Sequence, residues 1–237
     1  MDKPNDETTS ASPDFNRKIR SFVRRESRMS KRQRHAYETL MPTYGIEVSG
    51  PPINAETLFG RSGVTVLEIG FGMGDSLVEM ARHHPDVNYI GIEVHRPGIG
   101  SVLTSIDEHC IDNIRLCYGD AVDVLQNRLS GQFFDRIQLF FPDPWHKKRH
   151  HKRRLIQAPF VQLLADRLKS QGMLHVATDW QNYAEHINTV LADSTMFRTA
   201  SDDIKNNEIK SARPMTKFEN RGLRLGHEVW DLLFLRI

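Results

Sequence analysis

From Val64 to Asp179 the chain alternates short apolar runs with amphipathic stretches, and no other feature restricts its fold as strongly. The runs VTVLEIG (64–70), NYIGIEV (88–94), NIRLCYG (113–119), FDRIQLFF (134–141) and GMLHVATD (172–179) are rich in branched and aromatic residues and read as buried strands. Between them, Ile99, Val102, Leu103 and Ile106 recur at helical spacing, as do Phe160, Leu163, Leu164 and Leu168, and Tyr183, Ile187, Val190 and Leu191. Strand and helix in strict alternation imply right-handed crossovers and a mostly parallel sheet, hence an α/β fold. The segment HEVWDLLFLR (227–236) adds a last strand, which fits a closing antiparallel hairpin. With 237 residues and 39% hydrophobic side chains, one sizeable core is affordable and wholesale disorder is excluded.

Three regions follow. Residues 1–16 are polar and predict a disordered tail. Residues 17–60 form a basic N-terminal extension with scattered apolar anchors, in which Pro42, Gly50, Pro51 and Pro52 argue against a long helix. Residues 61–237 form the main domain. The N-terminus lacks the apolar core of a signal peptide, and no apolar run reaches the roughly 20 residues of a membrane span. Cys110 and Cys117 are the only cysteines, too few for a disulfide framework, and a cytoplasmic location is expected. The net charge of +2 conceals a partition. Residues 17–34 carry nine Lys/Arg against one Glu, and residues 145–154 (WHKKRHHKRR) carry six Lys/Arg and no acid, so the remaining residues are strongly acidic. Two concentrated cationic blocks on an acidic body suit a polyanionic partner.

The first strand runs into Glu68-Ile69-Gly70-Phe71-Gly72-Met73-Gly74, a strand-to-helix turn in which glycine lets backbone approach a ligand. No Gly-Lys-Ser/Thr follows, so it is not a phosphate-cradling loop. Glu93 closes the second strand 19 residues after Gly74, where a carboxylate can accept both hydroxyls of an adenosine ribose. NAD and S-adenosylmethionine share that ribose. The glycine spacing here is G-x-G-x-G, and an acid at Glu68 repels pyrophosphate but suits an ammonium and a sulfonium, which favours S-adenosylmethionine. Asp120, after the third strand, supplies a carboxylate for an adenine amino group. Each acid alone is an ordinary turn or cap residue. Three after three successive strands share the carboxyl edge, where open α/β sheets bind ligands.

The fourth strand ends Phe140-Phe141-Pro142-Asp143-Pro144-Trp145 and continues at once into the second cationic block. Flanking prolines restrict the backbone around Asp143. A fixed acid beside a polycation suits a site in which the cations hold a phosphate backbone while the acid orients a base. Asp179 ends the fifth strand on the same edge. Trp145, Trp180 and Phe218 read as packing aromatics whose edges line the site. The eleven histidines include the pairs His83-His84 and His150-His151, but adjacent histidines diverge on a helix and no zinc-ligand spacing follows, so no metal is expected.

Taken together, Arg20-Ser21-Phe22-Val23-Arg24-Arg25, the Leu67–Gly74 loop, Gly91-Ile92-Glu93-Val94-His95, Phe140–Lys147, Ala177-Thr178-Asp179-Trp180 and Thr216-Lys217-Phe218-Glu219 resemble the bacterial tRNA (guanine-N7)-methyltransferase family. The resemblance implies a Rossmann-like class I S-adenosylmethionine-dependent methyltransferase fold. It also implies methyl transfer to N7 of a variable-loop guanosine in tRNA. By the same resemblance, Glu68, Gly70, Gly72, Gly74, Glu93, Asp120 and Asp143 would line the S-adenosylmethionine site, with Asp143 catalytic. Lys147, Asp179, Thr216, Lys217, Phe218 and Glu219 would contact the substrate. Arg149, His150, His151, Lys152, Arg153 and Arg154 would contact RNA. Bacterial members of the family resemble self-sufficient single chains, so a monomer without an obligate subunit is expected. On the residues alone, an NAD-dependent oxidoreductase, a catalytically silent RNA-binding protein and a methyltransferase acting on an exocyclic amine remain rivals.

Overall fold

The computed structural model describes residues 28–129, 131–200, 213–215, 219 and 228–237. Each of the apolar runs is a strand: β1 (Thr65–Ile69), β2 (Asn88–Glu93), β3 (Ile114–Tyr118), β4 (Phe134–Phe140) and β5 (Leu168–Thr178), followed by β6 (Phe197–Thr199) and β7 (Trp230–Arg236). The helices are α1 (Lys31–Tyr44), α2 (Ala55–Phe59), α3 (Asp75–His83), α4 (Arg96–His109), α5 (Ala121–Asn127), α6 (Ala158–Arg167) and α7 (Gln181–Ala192), with a 3-10 helix over Lys148–Arg153. The seven strands lie in the order β3-β2-β1-β4-β5-β7-β6. The first five pair in parallel, and β7 inserts antiparallel between β5 and β6. The order reverses between β1 and β4, which opens a crevice at their carboxyl ends.

Every residue of β1 and β2 is buried, as central strands covered on both faces require. Successive side chains face opposite layers. Leu67 and Ile69 join the core under α5, α6 and α7, whereas Val66 joins the core under α3, α4 and α1. Each fully buried aliphatic side chain contributes about 2 kcal/mol of transfer free energy, so the sheet fixes where its strands end.

The extension departs from expectation. Residues 31–44 form a 14-residue helix with Pro42 inside it. Ser30 and Gln33 make a reciprocal capping box that starts this helix, and Pro42 sits in its last turn, where the lost N–H costs a single bond near the end. The helix lies antiparallel along α4: Arg32 pairs with Glu108, Gln33 touches Gly100, and Arg96 lies between the rings of Tyr37 and Tyr118. A side chain at Gly100 would meet the Gln33 carbonyl at 2.9 Å, so glycine there permits the contact. In residues 28–34, the described end of the first cationic block, Arg32 pairs with Glu108 in the last turn of α4 and Gln33 lies against Gly100 in its first half.

Leu168 is the second departure. It continues the helical spacing of Phe160, Leu163 and Leu164, yet it begins β5. Phe133 N–H donates to the Arg167 carbonyl and Arg167 Nε donates to the Leu125 carbonyl, so the chain is drawn into the sheet before another turn can form. The disordered tail expected over residues 1–16 lies outside the described residues. Among the described residues, no helix is long and apolar enough to cross a membrane.

Candidate active site

The parallel strands deliver Glu68, Glu93, Asp120, Asp143 and Asp179 to one edge of the sheet, because each acid lies at or just beyond the carboxyl end of its strand. Glu68 faces inward from β1 at 2% exposure, and its Oε2 has no hydrogen-bond partner. Burial, reinforced by the neighbouring Glu93 charge, pushes its carboxyl up to about 8. An acid in that state gains most from a cation placed against it.

Glu93 holds the glycine loop. Its Oε2 accepts from the Gly72 amide at 2.7 Å, and its Oε1 accepts from the amides of Val94 and His95 at 2.6 and 2.9 Å. Gly70 and Gly72 have φ of +75° and +60°, and a Cβ built on either meets nothing within 4 Å. The loop thus turns in a left-handed conformation over open space, a cradle that side chains would fill. Behind it, a Cβ on Gly98 would lie 1.9 Å from the Gly72 carbonyl, so the start of α4 supports the loop directly. Asp120 caps α5, with Oδ1 accepting from the Val122 amide at 2.9 Å. An unsatisfied buried carboxylate oxygen, a second acid and an open glycine cradle match the ammonium, sulfonium and ribose of S-adenosylmethionine. They do not match a pyrophosphate. A concavity of about 710 Å³ between α3 and α4 reaches this loop only at Met73, Gly74 and Asp75 and does not include Glu68, Glu93 or Asp120.

The turn after β4 is tightly specified. Phe141 and Trp145 both have left-handed backbones, with φ of +53° and +46°, a conformation that costs a non-glycine residue energy and that functional sites retain. Asp143 is exposed and its Oδ1 accepts from the Trp145 amide at 3.0 Å, which sets the direction of the carboxylate. Beside it, His146 meets the Trp180 ring edge-on at 4.2 Å between centroids. An open cleft of about 670 Å³ lined by Asp179, Trp180, Asn182, Glu228 and Trp230 continues from the end of β5.

The second cationic block divides into two parts. Lys147, Lys148, Arg149 and Lys152 are exposed. Arg153 stacks on Trp145 at 3.9 Å, and His150 meets the same ring edge-on. Local desolvation and the cations Arg149, Arg153, Lys147 and Lys152 hold the His150 imidazole below its ordinary pKa, so it adds polarity rather than charge. Arg154 differs from its neighbours in the block. It is 3% exposed and turns inward, donating from Nε to the Pro144 carbonyl at 3.0 Å and from Nη2 to Asn182 Oδ1 at 2.7 Å, with the Tyr183 ring beneath it. A side chain so engaged anchors the Pro-Asp-Pro turn to α7.

Of the segment expected to contact the substrate, Thr216, Lys217 and Phe218 lie outside the described residues. Glu219 is buried, and both its oxygens accept from Arg213, at 2.6 and 2.8 Å. Arg213 went unremarked in the sequence, although a lone arginine shortly before Thr216-Lys217-Phe218-Glu219 is a natural counterion for that glutamate. Among the described residues, no three His, Cys, Asp or Glu side chains cluster as metal ligands would.

A family model described as "Putative methyltransferase" matches residues 62–232. The tRNA (guanine-N(7)-)-methyltransferase of Shewanella amazonensis is 52% identical over 221 residues, covering 93% of each chain. That of Serratia proteamaculans is 50% identical over 231 residues, covering 95% of this chain and 97% of the relative. The solved 16S rRNA methyltransferase KamB shares the fold, with a TM-score of 0.51 at 14% identity over 76% of this chain and 90% of its own. Identity at this level along nearly the whole sequence, on a sheet with this strand order, leaves one conclusion: the chain belongs to the tRNA (guanine-N7)-methyltransferase family.

Proposed function

We propose that the protein transfers a methyl group from S-adenosylmethionine to N7 of a variable-loop guanosine in tRNA. The observation that carries this reading is the shared sheet edge, where an unsatisfied buried Glu68 and an open glycine cradle lie one strand from Asp143 and its cationic neighbours. When bound, S-adenosylmethionine supplies an electrophilic methyl group on its sulfonium. Glu68 would hold its ammonium, Glu93 and Asp120 would hold the ribose and adenine, and the backbone of Gly70, Gly72 and Gly74 would bound the pocket.

Guanine N7 carries a lone pair and no proton, so the chain need not deprotonate it. Its residues act by alignment, which contributes up to roughly 7–11 kcal/mol, and by electrostatics. Positive charge develops on the purine as N7 is alkylated, and Asp143, oriented by the Trp145 amide, stabilises it. Asp179 accepts from N1–H and the 2-amino group, which selects guanine over adenine. Lys147, Lys148, Arg149, Lys152 and Arg153 hold the phosphate backbone while His150 and His151 lie among them. Residues 17–60 extend that contact, residues 61–237 perform the chemistry, and the protein works in the cytoplasm as a monomer.

Label transfer from methyl-labelled S-adenosylmethionine to unmodified tRNA tests the assignment. The wild type should methylate tRNA, and Asp143→Ala should lose at least 100-fold while remaining folded. Near-normal transfer by folded Asp143→Ala would remove Asp143 from the mechanism.

A further inference from the structure

Three polar side chains stand abreast on adjacent strands beneath α3, and the chemistry above uses one of them. Glu68 on β1 is in register with Gln138 on β4, and Gln138 with His175 on β5. All three point to the face that α3 covers. Glu68 follows Val66 by two residues, Gln138 reaches Met80, and His175 packs edge-on against Phe140. Each is at most 2% exposed, and each keeps one polar atom without a partner: Glu68 Oε2, Gln138 Oε1 and His175 Nδ1. Gln138 Nε2 donates to the Met80 sulfur at 3.8 Å, and a thioether is a weak acceptor. Buried polar groups in folded chains are as a rule paired, so three unpaired atoms in one row point to a second arrangement.

The donors and acceptors of this row are complementary. Burial keeps His175 neutral, and its Nε2 gives its hydrogen to Asp231 at 2.7 Å, which leaves Nδ1 as an acceptor. Arg213 fixes Asp231 in turn, donating from Nε and Nη2 at 2.9 Å each. Gln138 carries two N–H groups on one nitrogen, and its neighbouring strands lie about 4.8 Å to either side. One N–H suits Glu68 Oε2 and the other suits His175 Nδ1. On the opposite flank Glu68 is in register with Gly91, where a Cβ would meet Phe71 at 2.7 Å and Leu77 at 2.8 Å. Apolar groups fill that side, so Gln138 is the hydrogen-bonding side chain abreast of Glu68. The charged and titratable groups around the row are Glu93 and Tyr89 on β2, Arg136 on β4, and Asp231 and Arg213 behind His175. The buried faces of α3 and α4 carry none.

We propose that Gln138 is a positioning residue for the ammonium of the cofactor. Its amide turns from Met80 to Glu68 and, braced by His175, holds the free carboxylate oxygen for the incoming cation. This inference rests on Glu68 as the partner of the ammonium, as proposed above. The terminal torsion of an amide side chain has broad, two-fold wells, so the turn requires no backbone motion. A hydrogen bond to an anion is roughly twice as strong as one between neutral groups, so Gln138 favours the ionised form of Glu68. It thereby offsets part of the burial that keeps a proton on the empty site.

The test is S-adenosylhomocysteine affinity, measured by calorimetry from pH 6 to 9.5, for wild type, Gln138→Met, Glu68→Gln and the double variant. Methionine is close to glutamine in shape and removes the amide alone. Without that amide, Glu68 should keep its proton to higher pH. The pH at which affinity levels off should rise by about one unit, and affinity at pH 7 should fall about tenfold. At pH 9.5, where the carboxyl ionises unaided, the loss should shrink to within about threefold. In the Glu68→Gln background the same substitution should cost less than about twofold. His175→Phe keeps a ring against Phe140 but removes Nδ1. It should move the levelling pH in the same direction by a smaller step, and it carries the test if Gln138→Met does not fold. A loss uniform across pH would overturn the proposal by making Gln138 a general support of the fold. An unchanged pH profile, or a loss that persists in full in the Glu68→Gln background, would overturn it as well. A wild-type protein whose affinity does not depend on Glu68 would instead refute the ammonium assignment beneath the proposal.

Discussion

Glu68 should make cofactor binding release a proton. Its carboxyl sits near 8 in the empty protein, because burial and the Glu93 charge both disfavour the anion. At pH 7 about one molecule in ten is ionised there. A cation against Glu68 requires the anion, so binding at pH 7 costs about 1.4 kcal/mol to remove the proton, and each further unit of acidity costs the same again. Affinity for S-adenosylhomocysteine should therefore rise up to tenfold per pH unit from pH 6 to about 8 and then level off. Calorimetry at pH 6.5 in buffers of different ionisation enthalpy should report close to one proton released per site. Glu68→Gln should bind more weakly and show neither the slope nor the proton. The same shift acts on stability with a defined sign. A carboxyl raised from 4.5 to about 8 keeps its proton in the folded state after the unfolded chain has lost it. The empty protein therefore loses up to about 5 kcal/mol as pH rises through that window, and Glu68→Gln should recover part of it at pH 8 but little at pH 4.5. Proton-free binding by the wild type, or an identical pH slope in Glu68→Gln, would refute this reasoning.

Three further outcomes follow from the geometry. Gly72→Ala meets no steric obstacle but must hold a left-handed backbone, so it should cost about 1–2 kcal/mol in urea unfolding and weaken S-adenosylhomocysteine binding more than tenfold as its methyl enters the cradle. Arg154→Ala should destabilise the fold by about 3 kcal/mol, because it strips partners from the Pro144 carbonyl and Asn182 and loosens the Pro-Asp-Pro turn; denaturant melts and activity at low temperature separate the two effects. The triple variant Lys147→Ala, Lys148→Ala, Arg149→Ala should leave S-adenosylhomocysteine binding intact and reduce the salt slope of tRNA affinity by about two to three, as filter binding across a salt series would show.

Much of this molecule is legible in its sequence where pattern and place coincide. The run VTVLEIG followed by three alternating glycines yields β1, the loop and α3, because burial on both faces and a positive φ each demand particular residues. The acids after successive strands share an edge for the same topological reason. Helix α1 was less legible, since Pro42 signals a break unless one knows that it falls in the last turn. The inward turn of Arg154 was hidden, because in a run of six cations nothing local marks the one whose partners, Pro144 and Asn182, lie 10 and 28 residues away. The network around Arg213 depends on a pairing between β5 and β7 that joins His175 to Asp231 across 56 residues. A trace was present: MLHVA (173–177) and VWDLLFL (229–235) each set one polar residue into an apolar strand, and two such residues in one sheet often face each other.

The most direct measurement is the identity of the methylated nucleoside. Unmodified tRNA incubated with the protein and methyl-labelled S-adenosylmethionine is digested to nucleosides, and the label is located. Label in 7-methylguanosine, mapped to the variable loop, is the outcome that family membership predicts for a chain with Glu68, Asp143 and this cationic rim. Label in an exocyclic amine, or none in tRNA despite S-adenosylhomocysteine binding, would contradict it.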